Sequence, residues 1–563
     1  MTSRTTEAAL ELACRCYEAG DLAGAESACL GVIRKAPRNV SALQLIGAIR
    51  LLNGDAQSAA AHFAKALRQT PGSFSLLMSL GEAQARLGDT DEALQSYRRA
   101  ASLKPDAVDA HFNIAALLAA CGRDDEAVRA YEALLARCPH YHDGHINLGI
   151  LYEQLGRTHD AIDSYRKALA INGQSVHALA NLGKALRSAH DLEAAKAACL
   201  EALRLRPDFS DAIVNLAAAV AEEGDAHAAL DEYGKALALA PSSADVRLAC
   251  AVLRLATGDF AAGWRDYAAR PTRLRADGAG LKLDTILPPG LDGRRVLLLG
   301  EQGIGDELFF LRFAPEVKAR GARVHVQCDA KLLTLLERAG LFDGVVVPGE
   351  PLPGADHTVA VGDLPLLLGH QGPAVPAAVP LAPLPARIER TLSELARLGP
   401  PPYIGLTWRA GTAPNLQRGR ADRALYKSVP LDALAAALAA APGSLLALQR
   451  APYPGEIDAL GETLGRRVHD LSSGNDDLEE MLALLHALDE YVGVSNSNMH
   501  LMAGLGKAAR VLVPNPPEWR WMWGGERSPW FPNFPIYRET AAAGWQQASA
   551  ALAGDLMQRQ PRE

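Results

Sequence analysis

Over the N-terminal half of the chain, the pattern of apolar, small and turn-forming positions repeats every 34 residues. One series of positions carries proline, which ends a helix, and a second carries glycine, which suits the tight turn between two helices. The two series are Pro37, Pro71, Pro105, Pro139, Pro207 and Pro241, with Gly173 in the vacant place, and Gly20, Gly54, Gly88, Gly122, Gly156, Gly224 and Gly258, with His190 as the exception. A fixed period of this length predicts a solenoid of helix pairs.

Two further series carry small side chains, which let neighbouring helices approach closely. They are Ala25, Ala59, Ala93, Ala127, Ala161, Ala195 and Ala229, and Ala13, Gly47, Gly81, Ala115, Gly149, Gly183, Ala217 and Ala251. Together these four series, which share one period, resemble the tetratricopeptide repeat. The resemblance implies an all-α superhelix of about seven to eight repeats over residues 1–277, with a concave groove that binds an extended protein partner.

One polar series lies two residues before the small position on the first helix of each unit: Asn113, Asn147, Asn181 and Asn215. An amide both donates and accepts, so a column of Asn in the groove could bind the backbone of a peptide whatever its side chains. This column resembles the one in O-linked N-acetylglucosamine transferases. The alternative is local, with each amide bonding a neighbouring helix terminus.

After Gly258 the repeat decays, and from RRVLLLG onward the pattern becomes that of short apolar strands alternating with helices. The segments ARVHVQCD, FDGVVVP and DHTVAV predict the next strands. A Pro-rich stretch from Gly372 to Pro385 predicts a linker, and YIGLTW, SLLALQ, RVHDLS, EYVGVS and ARVLVP predict a second set of strands. We therefore expect two parallel-sheet lobes facing a cleft, residues 278–390 and residues 391–563 with a terminal crossover helix.

The order and the amino-acid sequences of these segments, over roughly residues 293–540, resemble those of the GT-B glycosyltransferases, which have two Rossmann-like lobes. The resemblance is nearest to the heptosyltransferase-like family. In GEQGIGDELFFLRFAP, Gly303 and Gly305 permit close backbone approach to the donor, and Asp306 takes the place of the family's proposed general base. Such a base would remove the proton from the acceptor hydroxyl. The competing interpretation makes Asp306 a helix cap or a partner of the helix dipole.

In the second lobe, GVSNSNMHLMAGLGKAARVLVP resembles the block whose helix N-terminus meets the donor phosphate. The predicted donor contacts are Ser497, Asn498, Met499 and His500, although His500 could instead cap its helix. Ser495 and Asn496 stand where the family commonly has Asp-Thr, which puts the identity of the donor in doubt.

Further donor contacts are predicted at the carboxyl ends of the second lobe's strands, where open α/β sheets bind ligands. Arg409 follows one strand, Gln449 ends another beside Arg450, and Lys427 is a weaker candidate. Four tryptophans cluster after the last strand, and we expect them to pack the final crossover rather than to stack on a sugar or base. They are Trp519, Trp521, Trp523 and Trp530, with Arg520 and Arg527 among them as possible partners of acidic groups.

Composition and the absence of certain motifs exclude several classes of partner and cofactor. A net charge of -8 gives no basic surface for nucleic acid. The sequence has no run of apolar residues long enough to span a membrane and no secretory signal at its start, so we expect a cytoplasmic protein. No metal-binding triad and no Asp-x-Asp motif in the second half are visible, which predicts a metal-independent transferase with a nucleotide sugar as substrate and no cofactor.

Together the two halves predict a protein O-glycosyltransferase, like those that modify flagellin, some with nonulosonic acids. The repeats would hold the protein while the cleft transfers the sugar to Ser or Thr. Two alternatives stay open. One is a non-catalytic tetratricopeptide scaffold with a degenerate transferase half, and the other is a transferase acting on a glycan or lipid-linked acceptor.

Overall fold

A computed structural model describes residues 2–273, 282–372, 374–411, 427–540 and 543–558, with side chains from Thr6 onward. The chain forms two compact units, residues 1–191 and residues 192–563. None of the described helices is long and apolar enough to cross a bilayer.

The first unit consists of helices joined by short turns. Their bounds are α1 (Thr2–Glu18), α2 (Leu22–Lys35), α3 (Val40–Leu52), α4 (Ala56–Leu67), α5 (Phe74–Leu87), α6 (Thr90–Leu103), α7 (Val108–Ala120), α8 (Asp124–Arg137), α9 (His142–Gln154), α10 (Thr158–Ile171) and α11 (Val176–Ser188). The predicted helix pairs are confirmed.

The periodic positions have the structural roles that the sequence predicts, in the turns and between the helices. Glycine in the turn series has a left-handed backbone, as at Gly88 with φ of 84°, and His190, the exception, is also left-handed at 61°. The alanine series is fully buried. A β-carbon on Gly149 would lie 2.5 Å from the ring of Tyr165, so only a hydrogen there lets the ring sit against the helix.

The second unit opens with five more helices of the same kind: α12 (Leu192–Leu205), α13 (Ser210–Glu223), α14 (Ala226–Leu239), α15 (Ala244–Thr257) and α16 (Phe260–Tyr267). They are followed by α/β structure within the same compact unit. The predicted boundary at 277–278 lies outside the described residues.

The first α/β lobe holds a parallel sheet in the order β3-β2-β1-β4. Its strands are β1 (Arg295–Leu299), β2 (Arg323–Gln327), β3 (Gly344–Val346) and β4 (His357–Ala360). The helices between and after them are α17 (Ile304–Leu311), α18 (Ala314–Ala319), α19 (Leu333–Ala339) and α20 (Leu364–Leu368). Residues 374–384 contain neither helix nor strand, as the Pro-rich stretch predicts.

The predicted boundary between residues 390 and 391 falls inside a single helix, α21 (Pro385–Leu398). Beyond it the second lobe holds a parallel sheet in the order β12-β11-β10-β5-β8-β9. Its strands are β5 (Tyr403–Thr407), β8 (Ser444–Ala447), β9 (Val468–Asp470), β10 (Glu490–Val494), β11 (Arg510–Val513) and β12 (Ile536–Arg538). The short strands β6 (Arg409–Ala410) and β7 (Lys427–Ser428) pair antiparallel beside it. The remaining helices are α22 (Leu431–Leu438), α23 (Glu456–Leu464), α24 (Leu478–Ala487), α25 (Ser497–Gly504) and α26 (Gln546–Met557).

All the predicted strands form, and the β5, β8 and β10 strands are buried along their whole length. Burial on both faces is what parallel strands covered by helices require, which explains their unbroken apolar runs.

Candidate functional site

Each sheet has one point where the chain reverses the direction in which it adds strands. In the first sheet β1 lies between β2 and β4, and in the second β5 lies between β8 and β10. Such a switch point leaves a crevice beyond the carboxyl ends of the strands, and ligands of open α/β sheets bind there. The segment Gly300–Asp306, a loop as far as Gly303 and then the first turn of α17, follows β1, while Trp408 follows β5 and Ser495 follows β10.

The two switch points meet. A β-carbon on Gly305 would lie 3.1 Å from His500 Cδ2 and 3.4 Å from Ser497 Cα, so the first turn of α17 contacts the first turn of α25. A β-carbon on Gly303 would have no heavy atom within 4 Å, which leaves its backbone open. The fold therefore brings together Gly305, Ser497 and His500. These residues come from segments far apart in the sequence and are predicted to contact the same donor.

Asp306 lies in the first turn of α17, whose N-cap is Gly303, and no side chain caps that helix end. Its Oδ1 accepts a hydrogen bond of 2.5 Å from Arg520 Nη2, and its side chain is 30% exposed. Arg520 also donates to Glu518 Oε1 at 2.5 Å. A carboxylate of the first lobe is thus joined to a buried guanidinium of the second.

Glu518 extends this network across the second lobe. Its Oε2 accepts hydrogen bonds from Lys427 Nζ at 2.8 Å and from Ser495 Oγ at 2.6 Å. Burial alone would raise the pKa of this carboxyl, but the two basic neighbours Lys427 and Arg520 outweigh it and hold the pKa well below its usual range. Glu518 therefore stays ionised, and Ser495, one of the two departures from the family pattern, is one of its partners.

A second guanidinium lies behind the network. Arg312 and Arg520 both stack on the ring of Phe309, with their Cζ atoms 4.4 and 4.5 Å from its centroid. Burial and the charge of Arg520 lower the pKa of Arg312 to about 9, which leaves it charged at neutral pH. Three basic groups, Arg520, Arg312 and Lys427, and the Glu518 carboxylate thus all lie close enough to His500 to act on it electrostatically.

His500 is buried and lies edge-on to Phe309 and Phe531, with ring centroids 6.0 and 5.4 Å apart. Burial, followed by the charges of Arg520 and Arg312, lowers the pKa of His500 well below its usual value, so the imidazole is neutral. Its Nδ1 is buried without a hydrogen-bond partner. A neutral imidazole in this place can offer a hydrogen bond but no charge.

The cap of α25 is Asn496, whose Oδ1 accepts from the backbone N–H of Asn498 at 2.9 Å, so the alternative in which His500 caps the helix is wrong. The Asn496 amide also donates to Thr407 Oγ1 and to the Tyr491 hydroxyl, at 2.9 and 3.0 Å. These bonds tie the ends of β5 and β10 together at the switch point. The side chains of Asn498 and Met499 are buried beneath this turn, so a ligand could reach only their backbone.

Arg409 lies at the carboxyl end of β5, as predicted, but its guanidinium is buried and already paired. It donates to Glu456 Oε2 at 2.6 Å and to Ala451 O at 3.0 Å, and it stacks on Tyr453. A donor phosphate would have to compete with the Glu456 carboxylate for this charge.

Gln449 is buried, and its side chain forms hydrogen bonds with the backbone. Its Oε1 accepts from the amides of Trp408 and Arg409, both at 3.0 Å, and its Nε2 donates to Arg409 O and Arg450 O. These four bonds fill the capacity of an amide side chain. A direct contact between Gln449 and a ligand would require one of them to break.

The tryptophan segment packs as expected. Trp519, Trp521 and Trp530 are less than 5% exposed, and Trp519 and Trp530 lie edge-on to Trp264 of α16. Trp523 is half-buried and donates from Nε1 to Gly224 O at 2.9 Å. The segment therefore joins helices α13–α16 to the lobes and has little ring surface left for a sugar.

The four asparagines of the predicted column lie on α7, α9, α11 and α13 and are each half-buried. Asn147 Nδ2 donates to Asp143 O of its own helix at 2.9 Å, which is the local bond of the alternative interpretation. An amide side chain has two donor hydrogens and an acceptor oxygen, so this one bond does not fill the capacity of Asn147.

Sequence reasoning missed Glu518, Arg312 and Glu307 and gave Lys427 little weight. Glu307 is buried next to Asp306, and burial raises the pKa of its carboxyl to about 7. One signal was present in the sequence: Glu518 and Arg520 flank Trp519, and charges set among buried aromatic residues usually need partners.

Comparison with known proteins identifies the helical part. Descriptions of the tetratricopeptide repeat match residues 10–74, 81–122, 108–151, 142–175 and 176–209. Among curated proteins, Protein FlbA of Caulobacter vibrioides (strain ATCC 19089 / CIP 103742 / CB 15) is 26% identical over 335 residues, which are 55% of this chain and 54% of FlbA. The chain thus spans about half the length of this relative.

Solved structures with similar helices include the MamA protein, at 21% identity and a TM-score of 0.28, covering 30% of this chain and 92% of that one. A tetratricopeptide repeat protein from Parabacteroides merdae ATCC 43184 gives 16% identity and a TM-score of 0.37, covering 44% of this chain and 98% of that one. YrrB, a tetratricopeptide protein with an unusual peptide-binding site, gives 20% and 0.28, covering 32% and 94%. The helical part of this chain, at residues 10–74 and 81–209, carries tetratricopeptide repeats.

Proposed function

We propose that the chain is a protein O-glycosyltransferase of the GT-B type that transfers a sugar from a nucleotide-activated donor to Ser or Thr of a protein held by the repeats. The observation that carries the proposal is the meeting of the two switch points, where Gly305 contacts Ser497 and His500. Two Rossmann-like lobes whose ligand-binding edges face each other suit a reaction between two substrates.

The donor phosphate would lie at the first turn of α25. The positive end of the helix dipole favours an anion there, although the Asn498 and Met499 amides already donate to Asn496. Three basic groups, Arg520, Arg312 and Lys427, act on His500 in this turn against the one carboxylate of Glu518, which adds a favourable field. The protein's own charges could stabilise the departing phosphate.

Asp306 is the candidate base because its partly exposed carboxylate borders the same contact. It would accept the proton of the acceptor hydroxyl while the hydroxyl oxygen attacks the anomeric carbon and the phosphate leaves. The bond from Arg520 holds this carboxylate in place.

That ion pair is the observation that favours a second candidate function, a non-catalytic tetratricopeptide scaffold. In a scaffold, the pairs Asp306–Arg520 and Arg409–Glu456 serve only to hold the lobes and strands together. The two functions can be distinguished because only the transferase would increase the mass of an acceptor protein.

The protein acceptor is proposed to lie on the repeats, with flagellin as the first candidate. Replacing Asn113, Asn147, Asn181 and Asn215 by Ala should weaken binding of an unfolded flagellin fragment at least tenfold while circular dichroism stays unchanged. Asn53→Ala, at an exposed turn between two helices, is the matched control. Wild-type affinity in the fourfold variant would refute backbone binding by these amides.

The function is tested by intact-mass analysis of flagellin and other secreted structural proteins from cells with the gene, without it, and with Asp306→Asn. The matched control is Asp458→Asn, an exposed carboxylate of α23. A mass increment that is lost in the deletion and in Asp306→Asn, but kept in the control, supports transfer with Asp306 as base. An increment retained by Asp306→Asn would remove Asp306 from the chemistry, and no increment in any strain would favour the scaffold.

A further inference from the structure

The segment that leads to Asp306 is held from outside its own lobe, by residues at the end of the last repeat helix and just beyond it. Arg270, three residues beyond α16, donates from Nε to Glu301 Oε1 at 2.8 Å and from Nη1 to Asp363 Oδ1 at 2.6 Å. The Gly362 amide donates to the same Glu301 oxygen at 3.0 Å. Arg270 is 1% exposed, so this is a buried attachment point at the start of the loop.

The next residue of the loop, Gln302, has φ of 68°, a left-handed backbone that costs a non-glycine residue about 1–2 kcal/mol. Such a conformation persists only when its surroundings fix it. The Gln302 side chain is bonded through both amide atoms to the Tyr267 hydroxyl, with Nε2 at 3.0 Å and Oε1 at 3.3 Å. Tyr267 thus contacts the one strained residue between Glu301 and Asp306.

Tyr267 continues a series of aromatic residues at the 34-residue step of the repeats: Phe63, Tyr97, Tyr131, Tyr165 and Tyr233, with Cys199 in the vacant place. Elsewhere in the series the ring packs beneath a small residue of the preceding helix, as Tyr165 does at Gly149. The ring of Tyr267 contacts Phe310 of α17 and Trp519, with centroids 5.8 and 6.3 Å away. A repeat position therefore has partners in the buried core of the α/β half.

We propose that Tyr267 is a positioning residue: through Gln302 it fixes the segment Glu301–Asp306, which ends in the first turn of α17, and thereby the place of the Asp306 carboxylate between the lobes. The order of the loop follows from the contacts alone, whereas its use in sugar transfer rests on the proposed function. A repeat helix then supplies part of the cleft's geometry.

The test is hydrogen exchange of the amides of residues 301–306 in the full chain, for Tyr267→Phe, Gln302→Ala and the double variant. Loss of one hydrogen bond should speed exchange in this loop by about three- to tenfold. The double variant should exchange no faster than either single one, because both changes remove the same bond. Tyr131→Phe, at the same repeat position, is the matched control and should leave the loop unchanged.

Wild-type exchange in Tyr267→Phe, or additive effects in the double variant, would overturn the proposal. Exchange that is equally faster over β1 and over residues 307–311 of α17 would also overturn it, because it would mean a general loss of stability rather than a positioned segment. The measurement needs neither donor nor acceptor, so it gives an answer even if no protein is glycosylated.

Discussion

Glu307 offers the most direct test of the electrostatics around the cleft. The residue lies in the first turn of α17, is 6% exposed, and accepts one hydrogen bond of 3.0 Å from the Asp329 amide. Burial, reinforced by nearby carboxylates, raises the pKa of Glu307 from its usual 4.5 to about 7. The fold therefore prefers the protonated carboxyl, and Glu307→Gln imitates that form.

The sign follows from proton binding. Between pH 4.5 and about 7 the folded chain holds a proton on Glu307 that the unfolded chain has lost, so stability falls as the pH rises. The slope is about 1.4 kcal/mol for each pH unit, which amounts to about 3 kcal/mol over this interval. The contribution is fully present below pH 4.5 and is lost as the pH passes through about 7.

Glu307→Gln should remove this slope and make the second unit about 3 kcal/mol more stable than wild type at pH 8, with little difference at pH 4.5. The assay is urea denaturation at pH 4.5, 6, 7 and 8 followed by tryptophan fluorescence. All seven tryptophans lie at or beyond Trp264, so this signal reports only the second unit. Glu337→Gln, an exposed carboxylate of α19, should keep the wild-type slope. Identical pH dependence for Glu307→Gln and wild type would refute the reasoning.

Three further predictions concern single side chains. Arg270→Met leaves the Glu301 carboxylate without its guanidinium partner and Asp363 with Arg273 alone, and it should cost about 3–5 kcal/mol in the same fluorescence assay. Arg390→Met, which breaks a half-exposed pair, should cost less than about 1 kcal/mol. His190→Gly relieves a left-handed histidine and should stabilise its helix pair by about 0.5–1 kcal/mol net of chain entropy, measured by thermal unfolding with circular dichroism; a loss of stability would contradict this. Arg409→Met should destabilise the second unit by about 3 kcal/mol because Glu456 stays buried, and combining it with Glu456→Gln should recover most of that loss; an additive double variant would show that the pair contributes little.

The local architecture is predictable from the sequence because it depends on neighbours along the chain. The 34-residue period places each turn, and it predicts that the exceptional His190 stands where glycine is needed. The left-handed backbone at that position confirms this. The β5 and β10 strands likewise follow from short apolar runs bounded by turns.

The partners of the site residues could not be predicted in this way. Asp306 and Arg520 are 214 residues apart, and they meet only because two lobes bring their strand ends together. Arg409 looked free for a phosphate because the sequence does not show that Glu456 lies beside it. An ion pair depends on side-chain direction and on tertiary distance, and neither has a period along the chain.

The same limit applies to Gln449. Its position at the end of a strand was correct, but its four hydrogen bonds to the backbone depend on how β5 and β8 are paired. A polar residue at a strand end can bind a ligand or hold the chain, and only the completed fold separates the two roles.

The contacts of the tryptophan segment have a consequence for how such chains can be recombined during evolution. Asn515 Nδ2 donates to Glu222 O at 2.9 Å, and the Trp523 backbone donates to Ala256 O at 2.7 Å, so α13 and α15 are bonded to the loops after β11. A gene fusion that joined foreign repeats near residue 277 would strip these partners from the lobes. Helices α12–α16 must therefore be inherited together with the α/β half.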